Sequence, residues 1–197
     1  GSILGFTLIS EEMKDPQLRA LVEGIGYTEG MPVVVDPGII DPKRFIDEVL
    51  NKRFPNPFMP DSPQRIATDT SQKLAIRFGE TIKSYLQHPD LDIRDLKLIP
   101  LVHAGWLRYL MGIDDEGKPF TPSSDPRLEE AQEYVKGIKL GDKGPFDQQL
   151  EELLRDKTIW GVDLIEVGLS PLVLSYFERL VSGPGAVRQT LIDVVGP

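Results

Sequence analysis

Apolar residues recur at intervals of three and four along most of this chain, and short polar or glycine-rich stretches separate the repeats. Such spacing places apolar side chains on one face of an α-helix. Several repeats follow a capping residue and a proline, a common helix start because the first turn cannot use the N–H that proline lacks. These starts are Asp15-Pro16, Asp41-Pro42, Ser62-Pro63, Asp125-Pro126, Gly144-Pro145 and Ser170-Pro171. The pattern predicts a mostly helical fold.

Two further apolar stripes predict helices over residues 76–86 and 91–111, with Pro100 kinking or splitting the second. Loops are predicted over residues 114–124, 139–144 and 182–185. The short apolar runs 33–35 and 158–160 are weak strand candidates, because neither has an alternating partner or a hairpin turn. No repeat or low-complexity linker divides the chain. We therefore expect one all-α, multi-helix domain over residues 1–197.

Composition narrows the possible partners. The chain has 22 Lys and Arg against 31 Asp and Glu, a formal charge of -9, which argues against nucleic acid and acidic membranes as partners. It has no cysteine, so a disulfide framework or a thiolate zinc site is impossible, and a reducing cytoplasm fits. The apolar runs are too short to span a membrane, and the N-terminus does not resemble a signal peptide. We expect a soluble, cytoplasmic protein.

The residues usually needed for catalysis are scarce. His88 is interpreted as a helix-end residue, and His103 as a hydrogen-bonded core or interface residue rather than a catalytic base. Their spacing does not suit a metal, and no metal site is predicted. Gly24-Ile25-Gly26 lacks the third glycine and the preceding strand of a dinucleotide-binding turn. The acidic pairs are interpreted as solvated helix surface: Glu11-Glu12, Glu129-Glu130 and Glu151-Glu152.

Arg65, Asp69 and Lys73 carry the most informative pattern. On an unbroken helix their spacing would align them on one face as a surface ion-pair row. Their neighbours Thr68, Thr70 and Ser71 favour caps and turns over helix interiors. A bend at this point would direct both cations to one pocket suited to an anion or a polyol. From spacing alone, both interpretations remain open.

Further segments lie in order on both sides of this pair. They are Met13-Lys14-Asp15-Pro16; Arg53-Phe54-Pro55-Asn56-Pro57; Gln64-Arg65 through Ser71-Gln72-Lys73; Ala104-Gly105-Trp106-Leu107-Arg108-Tyr109-Leu110-Met111-Gly112-Ile113-Asp114 with Gly117; and Asp125-Pro126-Arg127. Together they resemble the C-terminal domain of the polyol-specific long-chain dehydrogenases, the family of mannitol 2-dehydrogenase and fructuronate reductase. The resemblance covers most of the first 135 residues, and the last sixty match only in helical character.

This resemblance implies an all-helical domain similar to the C-terminal domain of 6-phosphogluconate dehydrogenase, following an N-terminal Rossmann domain that binds NAD. The family's K-x-x-x-x-N-x-x-H catalytic motif and its Rossmann domain are absent from this sequence. We therefore expect a chain with no catalytic residue or cofactor site of its own, inactive in isolation. The resemblance assigns substrate binding to Arg65 and Lys73, with Asp69 orienting them. Arg77 is interpreted as a surface or structural residue.

The sequence thus supports two hypotheses. In the first, the chain is the substrate-binding half of an NAD-dependent oxidoreductase that interconverts a ketose or keto-sugar acid and its polyol or aldonate, such as fructose with mannitol or fructuronate with mannonate. In the second, it is a free-standing helical interaction module. Arg65, Asp69 and Lys73 would then be surface salt bridges, and the apolar segments 2–9 and 32–35 would mediate association.

Overall fold

Helices make up the regular structure of residues 1–34, 41–57 and 61–196, the parts of the chain that the computed structural model describes. The α-helices are α1 (Ile9–Glu12), α2 (Pro16–Glu23), α3 (Pro42–Glu48), α4 (Pro63–Ile66), α5 (Thr70–Leu74), α6 (Glu80–Gln87), α7 (Leu98–Leu110), α8 (Leu128–Val135), α9 (Asp147–Leu154), α10 (Lys157–Trp160), α11 (Ser170–Leu180) and α12 (Ala186–Val195). Within these residues no strand forms, and the isolated bridge between Ile113 and Pro119 is the one β-type pairing. The all-α prediction is confirmed.

The two weak strand candidates, 33–35 and 158–160, do not form strands at the residues that the structure describes. Residues 158–160 lie inside α10, and Val33 ends a 3₁₀ turn, Met31–Val33. Val35 lies outside the described residues. A second 3₁₀ turn covers Ile93–Asp95.

Three helical segments contain wide π-helical turns. Such turns are rare in proteins overall, and those that occur are often found at functional sites. The turns are Gly24–Gly30 after α2, Val49–Arg53 after α3, and Ala75–Gly79 between α5 and α6. Helix α5, the last π turn and α6 form one continuous helical segment from residue 70 to residue 87. No helix in the described parts of the chain is long and apolar enough to cross a membrane.

The proline-led starts are confirmed where the capping side chain acts locally. Asp15 accepts the N–H of Leu18 at 3.1 Å, and the Asp41 and Ser62 side chains cap α3 and α4 in the same way. Ser170-Pro171 also opens a helix, α11. The other two predicted starts are displaced, since α8 begins at Leu128 and α9 at Asp147.

The predicted helix over 91–111 is wrong in its first third. Helix α7 begins only at Leu98, which places Pro100 in its first turn. The N–H that proline lacks would be unpaired there anyway, so Pro100 neither kinks nor splits the helix. The helix is buried on most sides and packs along α11, with Ile99, Leu107 and Phe177 in the core.

Helix α7 is capped by a carboxylate from a distant part of the chain. Its own preceding residue, Lys97, provides no side-chain cap. Instead Glu29, buried at the end of the first π turn, accepts the N–H groups of Lys97, Leu98 and Ile99 at 3.0, 2.6 and 2.9 Å. The negative charge also suits the positive end of the helix dipole. The π turn and the central helix are therefore joined through one side chain.

Two more distant carboxylates act on helix starts. Asp115, in the loop after α7, accepts the N–H groups of Val187 and Arg188 at the start of α12 at 2.9 and 3.1 Å. Asp125 accepts the N–H of Ser71 in α5 at 2.8 Å and also bonds the Ser71 hydroxyl. The same carboxylate also accepts the N–H of Arg127 at 2.9 Å, so Asp125 joins the start of α5 to the turn before α8.

Arg108 fixes the loop that carries Asp115. Its guanidinium is fully buried and donates to three carbonyl oxygens: Leu180 at 3.3 Å, Asp114 at 2.9 Å and Ile113. Burial lowers the pKa of this arginine below its usual value, with the nearby Asp115 and Asp114 carboxylates acting in the opposite direction. Arg108 thereby ties α7 to the end of α11 and to the following loop.

The two ends of the chain meet through α12. Arg188 donates to the Asp15 carboxylate at 2.8 Å and to Gln17 at 3.0 Å, both at the start of α2. The N–H of Asp115 donates to the Ile3 carbonyl at 3.0 Å. The N-terminal segment and the C-terminal helix are therefore held side by side.

A close contact between glycines fixes the third π turn. A Cβ added at Gly79 would lie 2.6 Å from the carbonyl oxygen of Trp160 and 2.9 Å from the Cα of Gly161. Real Cβ atoms do not approach backbone so closely, so only glycine allows this contact. The π turn is thereby pressed against the end of α10.

His103 is a core residue, as predicted, but it is not hydrogen-bonded. It is fully buried, with its ring centroid 5.0 Å from that of Trp160 and 6.3 Å from that of Phe78. Neither ring nitrogen has a hydrogen-bond partner among the described residues. Burial without a partner lowers the pKa of His103 from 6.5 to about 3.

This buried imidazole should make the chain sensitive to acid. Between pH 6.5 and about 3 the unfolded chain binds a proton at His103 that the folded chain does not bind. The free energy of unfolding is therefore unaffected by protonation of His103 above pH 6.5 and falls as the pH drops below 6.5. We expect a cost of about 2–3 kcal/mol at pH 4.5. Urea unfolding of His103→Leu should show a correspondingly smaller stability loss between pH 7 and 4.5 than wild type. His88→Gln, at the exposed second histidine, is the control, and equal pH slopes for all three proteins would contradict the expectation.

Candidate functional site

The chain breaks its helix at Asp69. Helix α4 ends at Ile66 and α5 begins at Thr70, and Asp69 between them is left-handed, with φ 58° and ψ 32°. Asp tolerates this conformation better than most residues. Its N–H donates to the Ser124 carbonyl at 3.0 Å. The bend favoured by the sequence is therefore present.

The break rules out the ion-pair row. Arg65, Asp69 and Lys73 do not share a helix, and no ion pair or hydrogen bond among the described residues joins Asp69 to either cation. The three residues therefore do not pair with one another in a row, although Arg65 does form a surface salt bridge, with Asp61. Asp69 instead lies at the bend between the two short helices that carry the cations.

A cavity of about 380 Å³ opens beside this break, a size typical of small-molecule sites. Its walls come from the N-terminal segment, α1, α2, α4, α5, the Ala75–Gly79 π turn, α7, α11 and α12. The lining residues are Gly1, Ser2, Ile3, Leu4, Ile9, Glu12, Leu18, Leu21, Pro63, Ile66, Ala67, Thr70, Lys73, Leu74, Arg77, Phe78, Leu101, Val102, Gly105, Trp106, Tyr109, Leu180, Val187 and Leu191. Most are apolar, so the few polar groups stand out.

Lys73 is the predicted site residue that lines this cavity. Its Nζ donates to the Ile66 carbonyl at 2.7 Å, across the break in the helix. That carbonyl belongs to the last residue of α4. Because the break presents Ile66 to Lys73, the ammonium group is held at the wall of the cavity and keeps N–H donors for a further partner.

Arg65 lies outside the cavity lining. Its side chain is 74 % exposed, and its guanidinium engages both oxygens of Asp61, with the Nε–Oδ1 distance at 2.6 Å. Hydrogen bonding to Arg65 lowers the pKa of Asp61 below its usual value. Pro63 and Ile66, on the same short helix, do line the cavity. Arg65 therefore belongs to an element of the wall while its charge is directed to Asp61.

Arg77 also lines the cavity, one turn after Lys73 and within the Ala75–Gly79 π turn. The interpretation of Arg77 as a surface or structural residue overlooked this position. The spacing of four between Lys73 and Arg77 could have indicated it, because residues four apart on a helix share a face. The structure thus adds Arg77 to the cationic side chains of the cavity.

Glu12 was also overlooked, since the sequence suggested a solvated acidic pair with Glu11. Its side chain is only 13 % exposed, and it lines the cavity. One of its carboxylate oxygens is buried with no hydrogen-bond partner among the described residues. Its spacing of three from Ile9, another lining residue, would have placed it on the inner face.

The cavity thus combines cationic donors, one carboxylate acceptor and apolar walls. This set can bind an oxygen-rich molecule through its hydroxyl or carboxylate groups. In the described parts of the chain, no group of three His, Asp or Glu side chains could hold a metal ion.

Comparison with known proteins shows that the chain is similar to part of several sugar and polyol dehydrogenases. The mannitol dehydrogenase C-terminal domain family matches residues 1–173. The chain is 57% identical over its full length to D-mannonate oxidoreductase of Thermotoga maritima, and 31% identical over 83% of its length to mannitol 2-dehydrogenase of Neosartorya fischeri, covering 36% and 30% of those proteins.

Solved structures agree. Mannitol 2-dehydrogenase of Pseudomonas fluorescens, in a ternary complex with NAD and D-mannitol, superposes with a TM-score of 0.78 at 25% identity, over 99% of this chain and 37% of that one. D-sorbitol dehydrogenase, at 21% identity and a TM-score of 0.71, supports the fold alone. The chain spans about a third of the length of these relatives. The resemblance seen in the sequence is confirmed, and the chain belongs to the mannitol dehydrogenase C-terminal domain family.

Proposed function

We propose that this chain is the substrate-binding C-terminal part of an NAD-dependent oxidoreductase that interconverts a keto-sugar acid and its aldonate, with fructuronate and D-mannonate as the first pair to test. The observation that carries the proposal is the cavity of small-molecule size with Lys73 held at its wall. The 57% identity to a D-mannonate oxidoreductase supports the acid pair over fructose and mannitol.

NAD does not fit the residues of this chain. The described residues contain no strand followed by a glycine-rich turn and a helix, which is the usual dinucleotide site. We therefore assign NAD to a Rossmann domain elsewhere in the whole protein, and the role of this chain is to bind and orient the sugar.

Lys73 is suited to orienting a sugar. One of its N–H groups is used by the Ile66 carbonyl, which fixes the position of the ammonium group and leaves two donors for substrate oxygens. The mostly apolar walls lower the local polarity, which strengthens each such bond. Glu12 supplies the complementary acceptor for a substrate hydroxyl.

Arg65 is proposed to bind the substrate only after it releases Asp61. Its guanidinium can reach a substrate only by exchanging the Asp61 carboxylate for a substrate oxygen. Asp69, through the bend it creates, positions both short helices. Their roles in substrate binding are part of the proposal.

The test compares the full-length protein with its Lys73→Met variant. Loss of charged hydrogen bonds to the substrate is expected to lower kcat/KM for D-mannonate about 10- to 100-fold. Lys83→Met, at a surface lysine of α6 paired with Glu80, is the matched control and should retain wild-type constants. Circular dichroism should show that both variants are folded.

Two results would count against the proposal. A folded full-length protein that binds NAD but neither oxidises D-mannonate nor reduces fructuronate would refute the activity. Unchanged kinetic constants in Lys73→Met would refute the role of this lysine.

A further inference from the structure

Lys73 and Arg77 place two positive charges, one helical turn apart, at the wall of the same mostly apolar cavity. Their neighbours Leu74 and Phe78 line the cavity too, so this face of the helix points inward. The close contact of Gly79 with the Trp160 carbonyl fixes the helix against α10. The helix that carries the two cations is therefore packed directly against α10.

Arg77 differs from most other arginines of the chain in having no partner. The arginines that form ion pairs with carboxylates are Arg19, Arg65, Arg94, Arg127, Arg155, Arg179 and Arg188. By contrast, the guanidinium of Arg77 makes no hydrogen bond or ion pair with any described residue. Arg77 is exposed at the mouth of the cavity, so its guanidinium is free to bind an anion there.

Two like charges beside one apolar cavity repel each other, and an anion bound between them would relieve that repulsion. The two side chains are also suited to different oxygens. Arginine presents a planar fork that matches both oxygens of a carboxylate, whereas lysine is a compact charge suited to single oxygens. Lys73 is already anchored to the Ile66 carbonyl, while Arg77 retains all its donors.

We propose that Arg77 binds the carboxylate of the substrate and so selects sugar acids over neutral polyols. The assignment rests on the proposed function, because it takes the cavity beside Lys73 as the sugar site. A sugar acid carries one carboxylate beside several hydroxyls, whereas a polyol offers hydroxyls alone. Arg77 would thus determine the substrate class.

The experiment uses the full-length protein and its Arg77→Met and Arg77→Lys variants. In Arg77→Met, KM for D-mannonate is expected to rise about 30-fold or more with a smaller change in kcat, because the lost bond is present before reaction. Arg77→Lys should recover part of the loss. Arg44→Met, at an exposed arginine of α3, is the matched control and should leave KM unchanged.

Calorimetric titration with D-mannonate and with D-mannitol repeats the comparison without turnover. The expected result is that Arg77→Met weakens D-mannonate binding about 30-fold and changes D-mannitol binding less than threefold, or leaves it undetectable as in wild type. An equal loss for both ligands, or no loss for D-mannonate, would overturn the assignment.

The two proposals fail in different ways. If the wild-type protein turns over D-mannonate and Arg77→Met does so equally well, the role of Arg77 is refuted and the proposed function stands. A wild-type protein that neither binds nor turns over D-mannonate would refute the proposed function, and the carboxylate assignment with it.

Discussion

Glu29→Ala is expected to destabilise the chain by about 3–5 kcal/mol, although Glu29 lies outside the cavity. The substitution removes the acceptor of the N–H groups of Lys97, Leu98 and Ile99 at the start of α7, where Ile99 is fully buried and the other two bonds are partly buried. Each buried donor left without a partner costs about 1–3 kcal/mol. Urea unfolding measures the change directly, and the melting temperature should fall by about 8–15 °C.

Two variants test the reason for this loss. Glu29→Gln keeps one acceptor oxygen but loses the charge, so its destabilisation should be intermediate. Glu48→Ala, at an exposed position of α3, should change stability by less than about 0.5 kcal/mol. If Glu29→Ala proved as mild as Glu48→Ala, the distant cap would contribute little to stability.

Arg108→Met should also cost about 3–5 kcal/mol. Methionine preserves much of the apolar stem but removes the donors to three carbonyl oxygens, those of Leu180, Ile113 and Asp114. The loop that carries Asp115 would lose its attachment to α7, which should also weaken the cap of α12. Equilibrium unfolding gives the size of the loss, and hydrogen exchange at Val187 and Arg188 should accelerate.

Two control variants test whether the loss comes from the hydrogen bonds at this buried position and not from the removal of any arginine. Arg108→Lys can restore one or two of the hydrogen bonds and should lie between wild type and Arg108→Met. Arg94→Met removes an arginine whose side chain is 86 % exposed and should leave both stability and exchange unchanged. Unchanged exchange at the start of α12 in Arg108→Met would contradict the proposed link through the loop.

The sequence predicted helices best where cap and helix are neighbours. Asp15, Asp41 and Ser62 cap the helices that follow them, so local spacing was enough. The carboxylates of Glu29 and Asp125 act on helices 54 or more residues away along the chain. No local pattern can show such a pairing, because the fold alone brings donor and acceptor together.

Local sequence patterns likewise pointed to only some of the residues that line the candidate site. Spacing and resemblance selected Lys73, and the turn-forming residues around Asp69 indicated the bend that positions it. Arg65 was equally marked, yet its guanidinium engages Asp61, a local partner that was not considered. Glu12 was assigned to the surface because an acidic pair is usually solvated, and only the fold brings it to the wall of the cavity.

The cavity has walls from both ends of the chain, since Ile3 and Leu191 line it together. During synthesis on the ribosome, this pocket cannot close until α12 has emerged, because Arg188 of α12 holds the start of α2 through Asp15. Until then the apolar side chains that line it, such as Trp106, remain accessible to chaperones and to other nascent chains. A chain released before residue 186 would therefore expose an apolar groove in place of the cavity that α12 helps to enclose.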